Sequence, residues 1–538
     1  MKYINSYLIV LFVLFVQQLQ AQLSIDWYKN SEQLGFYQPK KSVYNPVDSC
    51  IYTAGLYSGQ FEMDGLSVTS SYPKAFFLMK TKSNGETAWV KTIAENDYSV
   101  ELTSNVALST SEDGALLLGL TFNRKLFFGS DSIVLPDDVF TTGGALFKLD
   151  TSGNSLWSKQ IVAYSIECIA VNGNNDIFLT GRSVSDDAYL SAYSEFGDSL
   201  WTRFGGSNSG YDEGRNLVID SNNNVYVVGG VDPNSSVYFD SEHPTFVSPY
   251  FWGSFLAKYN FSGDIQWVRC FYSSDFGDYV ACQSVLIHND NIVVGGEFQG
   301  GKIKFYPTSA TINLPSSSLS GFLINYDTLG NLKWKKVPNT NVTGVFGIVS
   351  GLVIDNNFVF FGSFSDDLVV LNDTIHSYGS MDIICEIFDS SGNCLNFKLL
   401  KGTNSDGATS FIKAGDDLVL NISTKSNTIL VDNSTMTLAP VSDQMVLVRF
   451  NYQALTLDEK ETPIFGVFPN PNNGTWVFES NEDVLGKTLQ LFSVSGELVG
   501  KHLLQEHYSN SIESALPSGI YFLSVLGETQ VPIRIVVN

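Results

Sequence analysis

The sequence predicts an all-β chain in which a seven-bladed β-propeller is followed by a small antiparallel β-sandwich. Three observations predict it: a hairpin pattern with Gly four residues before Trp recurs, a second aliphatic hairpin pattern alternates with it, and the composition changes near residue 456. We expect a signal peptide at residues 1–21, the propeller at 22–453, a linker at 454–463 and a separate C-terminal domain at 464–538.

Composition excludes several classes of protein. The 538 residues include 13% aromatic and only 16% charged side chains, whereas disordered chains have few aromatics and many charges. The formal net charge is −24, which opposes binding to nucleic acid or to anionic lipid, because both need clustered Lys and Arg. We therefore expect a folded chain without a nucleic-acid partner.

The N-terminus has the pattern of an export signal. Lys2 precedes an apolar run of ten residues at 7–16, and Ala21 provides a small residue before Gln22. Ten apolar residues are too few to span about 30 Å of hydrocarbon as a helix. The sequence predicts cleavage between Ala21 and Gln22 and a soluble mature chain without a transmembrane segment. The alternative is a buried apolar strand at the start of the fold.

The first repeated pattern is a hairpin whose turn contains Gly and whose second strand contains Trp. Its copies are Gly85 and Trp89, Gly153 and Trp157, Gly197 and Trp201, Gly263 and Trp267, and Gly330 and Trp334. A sixth copy has Gly392 but places Asn396 where the others have Trp. Because Trp buries a large apolar area, we interpret the periodic Trp as packing and not as a binding site.

The second repeated pattern joins two aliphatic runs through an Asn-, Asp- or Gly-rich turn. It occurs seven times, with clear copies at residues 217–230, 285–298 and 352–364. Two hairpins make one four-stranded blade, and seven such units predict a propeller. Only six copies of the Gly–Trp hairpin exist, so the last unit lacks a strand. Residues 24–29 match the Trp strand and are predicted to pair with the last unit, closing the ring.

The C-terminal residues form short β-type runs separated by turn signals, which predicts an antiparallel sandwich. Three blocks are specific: FPNPNNG at 468–474, LFSVSGELVG at 491–500 and LPSGIYFLSV at 516–525. These blocks resemble the type A C-terminal sorting domain of the bacterial type IX secretion system. The residues that carry the resemblance are Pro469, Asn470, Pro471, Gly474, Gly496, Gly519 and Tyr521.

The resemblance implies a route and a partner. It implies export through the periplasm, passage through the type IX secretion machinery, and a product that is secreted or attached to the outer cell surface. The repeated units resemble the seven-bladed β-propeller repeats of secreted bacterial proteins. Taken residue by residue, Pro and Gly in these blocks also fit ordinary corners and turns.

Because successive strands of a blade run in opposite directions, successive connections lie on alternate faces of the propeller. In each blade the first-to-second and third-to-fourth turns lie on one face, and the other connections lie on the opposite face. The short connections all belong to the first set, and long ones at 123–143, 231–253, 299–320 and 365–380 belong to the second. Because binding residues concentrate on loops of a rigid scaffold, we expect a site on the long-loop face or at the channel mouth there.

Acidic and aromatic residues precede several first strands and form the candidate binding set. They are Asp97, Tyr98, Tyr211, Asp212, Asp278 and Tyr279. One interpretation is an acidic, aromatic-rimmed funnel for a cation or a carbohydrate. The other is that each Asp caps its own loop through backbone N–H groups.

Catalytic patterns are weak in this sequence. The five His form no ligand-spaced pair, no nucleophile elbow or phosphate-binding Gly loop occurs, and no catalytic, metal or cofactor residue is predicted. Six Cys would permit disulfides after export, with Cys270–Cys282 and Cys385–Cys394 as local pairs.

Three functions remain open at this point. The first is a non-enzymatic propeller that binds an extracellular glycan or protein. The second is a secreted carbohydrate-active hydrolase or lyase using carboxylates on the long-loop face. The third is a structural adhesion spacer.

Overall fold

A computed structural model describes most of the chain. The described residues are 24–31, 36–96, 105–136, 142–207, 210–232, 236–239, 246–247, 252–273, 278–313, 319–337, 340–341, 346–371, 373–431, 434–439, 444–451, 465–468, 470, 474–480, 484–494, 496–526 and 533–538. They form two compact units, Met1–Leu455 and Thr456–Asn538. The predicted signal peptide, with Ala21 and Gln22, lies outside the described residues.

All the elements are β-strands, as the sequence predicts. The first half of the N-terminal unit contains β1 (Ser24–Asn30), β2 (Phe36–Asn45), β3 (Cys50–Met63), β4 (Leu66–Lys82), β5 (Thr87–Asn96), β6 (Val106–Thr110), β7 (Leu116–Asn123), β8 (Lys125–Phe128), β9 (Asp131–Val134), β10 (Thr142–Leu149), β11 (Ser155–Ile161), β12 (Ser165–Val171), β13 (Ile177–Arg182), β14 (Ala188–Tyr193), β15 (Ser199–Ser207), β16 (Glu213–Ile219), β17 (Val225–Val231), β18 (Ser236–Tyr238) and β19 (Phe246–Val247). The second half contains β20 (Gly253–Tyr259), β21 (Ile265–Ser273), β22 (Tyr279–His288), β23 (Asn291–Gln299), β24 (Lys302–Tyr306), β25 (Thr311–Asn313), β26 (Ser320–Tyr326), β27 (Leu332–Lys336), β28 (Thr340–Asn341), β29 (Phe346–Ile354), β30 (Asn357–Phe364), β31 (Asp367–Val370), β32 (Asp373–His376), β33 (Asp382–Phe388), β34 (Cys394–Gly402), β35 (Asp406–Ala414), β36 (Asp417–Thr424), β37 (Thr428–Val431), β38 (Ser434–Thr437) and β39 (Gln444–Asn451).

Seven antiparallel sheets within the described residues each contain a four-stranded blade. In chain order the blades are β2–β5, β6-β7-β10-β11, β12–β15, β16-β17-β20-β21, β22-β23-β26-β27, β29-β30-β33-β34 and β35-β36-β39-β1. The first strand of each blade contacts the first strands of both neighbouring blades, and β35 contacts β2. The first strands therefore surround a central channel; the predicted all-β propeller fold is confirmed, and the strand pairing is consistent with the seven predicted blades.

The predicted closure of the ring is confirmed strand by strand. β1 pairs antiparallel with β39, so that Trp27 lies opposite Arg449 and Asn30 lies opposite Val446. Two further hydrogen bonds extend the pairing, from Ser31 N to Met445 O (3.0 Å) and from Met445 N to Ser31 Oγ (3.1 Å). The N-terminal strand thus supplies the fourth strand of the last blade.

The Gly–Trp pattern reflects contacts between neighbouring blades. The six turn glycines have φ between +76° and +85°, a region that L-residues with side chains avoid. Each glycine faces a Trp from the preceding blade: Trp27 with Gly85, Trp89 with Gly153, Trp157 with Gly197, Trp201 with Gly263, Trp267 with Gly330 and Trp334 with Gly392. A Cβ atom at these positions would lie 2.7–3.1 Å from the indole, so the turn must be Gly for the Trp to pack there.

The contacts also explain the one missing Trp. Asn396 lies on β34 of the sixth blade, at the position where the others carry Trp. The seventh blade has no Gly-containing turn between its third and fourth strands, because its fourth strand is β1 from the other end of the chain. A Trp at 396 would have no turn glycine to contact.

Most long second-to-third connections fold back as added hairpins on the preceding blade. The hairpins β8-β9, β18-β19, β24-β25 and β37-β38 extend the sheets of the first, third, fourth and sixth blades through β5, β15, β21 and β34, and β31-β32 pairs with β28, which follows the fifth blade. Much of the long-loop sequence therefore covers outer sheet edges, which is a common way to prevent edge-to-edge aggregation. In the third blade this connection is a short turn at residues 183–187.

The C-terminal unit is the predicted antiparallel sandwich. Its strands are β40 (Phe465–Phe468), β41 (Thr475–Ser480), β42 (Thr488–Ser493), β43 (Leu498–Leu503), β44 (Ser509–Glu513), β45 (Gly519–Val525) and β46 (Ile533–Val537). A three-stranded sheet, β40-β41-β44, packs on a four-stranded sheet, β43-β42-β45-β46. Trp476 from the first sheet and Leu491 and Leu523 from the second share one core.

The sequence blocks have structural roles in this sandwich. The side chain of Asn470 bonds the last strand twice: Nδ2 donates to Arg534 O (2.7 Å), and Val536 N donates to Oδ1 (2.8 Å). Gly474 and Gly496 have φ of +95° and +81°, and Tyr521 is buried with its hydroxyl donating to Pro517 O. Gly519 begins β45, while Pro469 and Pro471 lie outside the described residues.

The six cysteines form no disulfide bond in this structure. All six cysteines are free, so the local pairs Cys270–Cys282 and Cys385–Cys394 expected from sequence do not form. Cys385 faces Lys398 and Cys394 faces Phe388 in their sheet, so two residues separate the cysteines along the ladder. Across the described residues, no helix is long and apolar enough to cross a membrane.

Candidate functional site in the central channel

Six of the first strands share a β-bulge, and five of the bulged residues line the central channel. In these six strands a single residue is skipped in the pairing with the second strand: Lys40, Glu167, Arg215, Gln283, Val349 and Thr409. Asn105, directly before β6, takes the corresponding place in the second blade. A bulge re-aims a side chain that strict alternation would send elsewhere.

Glu167, Arg215, Gln283, Val349 and Thr409 of these bulges line a polar cavity together with Asn105, and we call this cavity the channel chamber. Its volume is about 480 Å³, within the range of small-molecule sites. The cavity lining includes polar, charged and aromatic side chains and one apolar residue: Asn105, Tyr164, Glu167, Arg182, Glu213, Arg215, Gln283, Val349, Ser350 and Thr409. The chamber draws residues from six blades, and Lys41 of the first blade completes the ring.

Farther along the channel the first strands become apolar. A second cavity of about 210 Å³ is lined by Leu108, Val218, Leu286 and Ile412, together with Lys41 and small polar residues. Charged groups are therefore concentrated at the bulge end of the channel. This end lies toward the starts of the first strands, on the face that carries the second-to-third connections.

Glu167 is the central acid of the chamber. Burial raises the pKa of its carboxyl, and repulsion from Glu213 adds to the effect. The carboxyl accepts a hydrogen bond from Nδ2 of Asn105, which with the charge of Arg215 opposes that shift. Burial also lowers the pKa of Lys40, while attraction to Glu167 opposes that change. Desolvation therefore disfavours the charged forms of both Glu167 and Lys40, and the two side chains form no direct ion pair.

Arg215 is the central cation of the chamber. Its Nε donates to Oε1 of Glu213 at 2.7 Å, whereas Nη1 is buried and has no hydrogen-bond partner among the described residues. Arg215 also attracts the carboxylate of Glu297, although burial still raises the pKa of Glu297. Glu297 Oε2 lies over Gly347, where a Cβ would come within 2.4 Å. The site therefore holds a guanidinium with a hydrogen-bonding position to spare.

An arginine between two tyrosines forms the rim of the chamber in the third and fourth blades. The guanidinium carbon of Arg182 lies 3.6 Å from the ring centroid of Tyr164 and 4.9 Å from that of Tyr211. These distances are typical of cation–π contacts. Arg182 also pairs with Asp186 at 3.6 Å, and Tyr211 remains 55% exposed.

The structure separates the candidate residues predicted from sequence. Tyr211 lies at the chamber rim, and Tyr279 begins β22 close to Glu297, where burial and that negative charge raise its pKa to about 12. Asp278 accepts a hydrogen bond from Ser273 Oγ at 2.8 Å. Asp97 and Tyr98 lie outside the described residues.

Asp212 has the geometry of a loop cap. It is fully buried, and its carboxylate accepts hydrogen bonds from Ser207 N, Ser207 Oγ (2.8 Å) and Asp232 N (2.6 Å). Burial raises its pKa, while these hydrogen bonds oppose the shift. This arrangement fits the second interpretation given for the repeated Asp. Asp406 is similar, because it accepts from Thr424 Oγ1 and from Ser426 Oγ (3.0 Å).

Sequence reasoning missed the bulge residues. Glu167 stands within the apolar run Ile166 to Ile169, and a charged residue inside an apolar first strand is the signal that could have found it. The orientation of the Glu167 side chain depends on the bulge, and no residue type in the local sequence predicts that bulge. Among the described residues, no group of three or more His, Cys, Asp and Glu is arranged to hold a metal ion.

Residues 466–538 match the family described as secretion system C-terminal sorting domain. The chain carries a type IX sorting domain. This domain indicates export by type IX secretion to the cell surface or the extracellular space, and it makes the secretion machinery a partner. The match covers the sandwich, with the blocks around Asn470, Gly496 and Tyr521.

Solved structures resemble the chain at low identity. They include the Dos1 propeller (10% identity, 78% of this chain and 94% of that chain, TM-score 0.37) and a protein of unknown function from Dyadobacter fermentans (11%, 78% and 98%, 0.38). A third is the β-propeller domain of the Trilobed protease from Pyrococcus furiosus (9%, 75% and 98%, 0.39). No curated protein matches the chain in sequence.

Proposed function

We propose that the exported propeller is a non-enzymatic binding protein that takes a hydroxyl-rich ligand, such as the end of a glycan, in the channel chamber. The observation that carries the proposal is the set of unlike side chains at equivalent positions of the seven first strands, where every residue except Val349 is polar. Packing alone would favour similar apolar residues at equivalent positions, as the periodic Trp residues do. Amide, hydroxyl and charged groups around a cavity of about 480 Å³ can instead bond the hydroxyl groups of a sugar.

A chamber-filling variant tests this proposal. Val349 sits on a bulge of the sixth blade and is 39% exposed, so a larger side chain there projects into the chamber. Binding of the mature chain to a glycan array should be lost in Val349→Trp. The matched control is Val134→Trp, on the outer hairpin strand β9, where the Val is also exposed. Absence of any bound glycan, or retained binding in Val349→Trp, would contradict a chamber site.

One observation supports a second candidate, a carbohydrate-active hydrolase or lyase. Glu167 and Glu213 both line the chamber, and their repulsion helps raise the pKa of Glu167, as occurs for acids that donate a proton in catalysis. An enzyme would release reducing ends from a bound glycan and would lose that activity, but not binding, in Glu167→Gln. A binding protein would release none.

A further inference from the structure

We propose that the chamber ligand carries a single carboxylate, as in a uronic-acid saccharide, and that Nη1 of Arg215 binds this carboxylate. This inference rests on the proposed function and specifies its ligand. It starts from the buried guanidinium nitrogen that lacks a partner among the described residues.

The unpaired nitrogen indicates a missing acceptor. A buried donor without a partner is unfavourable, and more so when the group is charged. Nε of Arg215 is already bonded to Glu213, and Nη2 lies near Gly230, where a Cβ would come within 3.3 Å. Because Arg215 lines the chamber, we assign the missing acceptor to a ligand oxygen there. Guanidinium groups bind carboxylates through planar, directional pairs of N–H groups.

The surrounding charges favour a monoanion over a phosphate. Glu213 and Glu297 already attract the guanidinium, and they would repel a doubly charged group more strongly than a carboxylate. Lys41 and Arg182 also line the chamber, so Arg215 is one of three cations there, in a chain whose net charge is −24. These cations offset the nearby acids Glu167, Glu213 and Glu297, so a singly charged ligand is the anion that the chamber suits.

The uncharged lining indicates hydroxyl groups on the rest of the ligand. Asn105, Gln283, Ser350 and Thr409 offer amides and hydroxyls that both donate and accept hydrogen bonds. They lie around the same cavity as Arg215, so a carboxylate and several hydroxyl groups would be engaged together. A saccharide acid has this combination of groups, whereas a fatty acid lacks the hydroxyls.

Calorimetric titration of the mature chain tests the inference. The probes are galacturonate and glucuronate oligosaccharides, compared with galactose and glucose oligosaccharides of equal length. We expect the acidic ligands to bind at least about tenfold more tightly, since a hydrogen bond between charged groups is stronger than one between neutral groups. Arg215→Gln should remove this preference, lowering affinity for the acidic ligands by about tenfold while leaving affinity for the neutral ones nearly unchanged.

Two variants control for folding. Arg203→Gln is the matched control, because Arg203 stacks on Trp201 and donates to Gly263 O outside the chamber, and it should keep the preference. Arg215→Lys retains the charge without the planar group and should give an intermediate preference with an unchanged melting temperature. Equal affinity for acidic and neutral oligosaccharides in the wild type, or equal losses for both in Arg215→Gln, would overturn the carboxylate inference alone. Absence of binding to every saccharide would overturn the proposed function as well.

Discussion

The indole of Trp27 packs against Gly85, and its Nε1 donates to Ser83 O at 3.0 Å. Trp27 belongs to the N-terminal strand that completes the seventh blade, whereas Gly85 lies in a turn of the first blade. The contact therefore spans the joint at which the ring closes, and it has the same form as the contacts between the other blades. The same Gly–Trp pattern therefore forms the contacts between successive blades and the contact that joins the seventh blade to the first.

Substitution of a turn glycine should destabilise the propeller through this contact. Gly263→Ala places a Cβ at φ +78° and 2.8 Å from the indole of Trp201. Gly65→Ala is the matched control, because its φ is +74° and nothing lies within 4 Å of the added Cβ. The left-handed backbone should cost about 1–2 kcal/mol in both variants, and overpacking should add about 1–3 kcal/mol in Gly263→Ala only. Urea unfolding measures both; equal losses would argue against the Trp contact.

A disulfide across the closing strands should form and stabilise the ring. Ser24 lies directly opposite Asn451 at the exposed end of the β1–β39 pair, within the spacing that disulfides require. Oxidised Ser24→Cys/Asn451→Cys should be more stable by about 4–5 kcal/mol, because the bond closes a very long loop. Comparison of the melting temperatures of the oxidised and reduced forms of the same protein measures the effect. Failure of the two cysteines to react would contradict the closure.

Acid should weaken the attachment of the closing strand to the first blade. Asp64, in the turn between β3 and β4, pairs with Lys29 of β1 (2.9 Å) and accepts from Thr87 Oγ1 (2.9 Å). Burial by itself would raise the pKa of Asp64, but these hydrogen bonds outweigh it and hold the pKa below its ordinary value of 3.8. A carboxyl with a lowered pKa contributes stability above its unfolded-state pKa and loses it as pH falls through the folded-state pKa.

The expected result is a difference in pH dependence between variants. The unfolding midpoint of the wild type should fall more steeply below pH 4 than that of Asp64→Asn, which lacks the titrating group. Asp131→Asn, on the added hairpin strand β9, should follow the wild-type curve. Parallel curves for wild type and Asp64→Asn would show that this pair does not contribute.

Removal of residues 463–538 should separate folding from export. The propeller and the sorting domain are distinct compact units, so the truncated chain should retain its β-sheet circular dichroism and cooperative unfolding. Without the sorting domain it should accumulate in the periplasm, whereas the full chain reaches the surface or the medium. Fractionation and immunoblotting measure this distribution. Delivery of the truncated chain to the outside would contradict the role of the sorting domain.

The strand order could be predicted from sequence because each blade repeats the same turn residues. Gly263 and Trp267 mark one hairpin, and the surplus of one hairpin type led to the pairing of residues 24–29 with the last repeat. The added hairpins were not predicted, since runs such as residues 302–306 are short and lie within long connections.

The channel chamber was only partly predictable. Its location follows from strand parity, and Tyr211 lies at its rim. Glu167 and Arg215 were missed because a one-residue bulge breaks the alternation of side chains, and a shift of one residue moves a side chain to the other face. Asp212 carried the recognisable loop pattern, but its carboxylate is engaged by backbone and Ser207.

Joining the first strand to the last repeat has a consequence for biogenesis. β1 is synthesised well before its partner β39, which ends at Asn451, so β1 stays unpaired until the other propeller strands have been made. A chain that ends before β39 therefore leaves the edge of β1 without its partner strand. The ring can therefore close only after β39, the last propeller strand before the sorting domain, has been made.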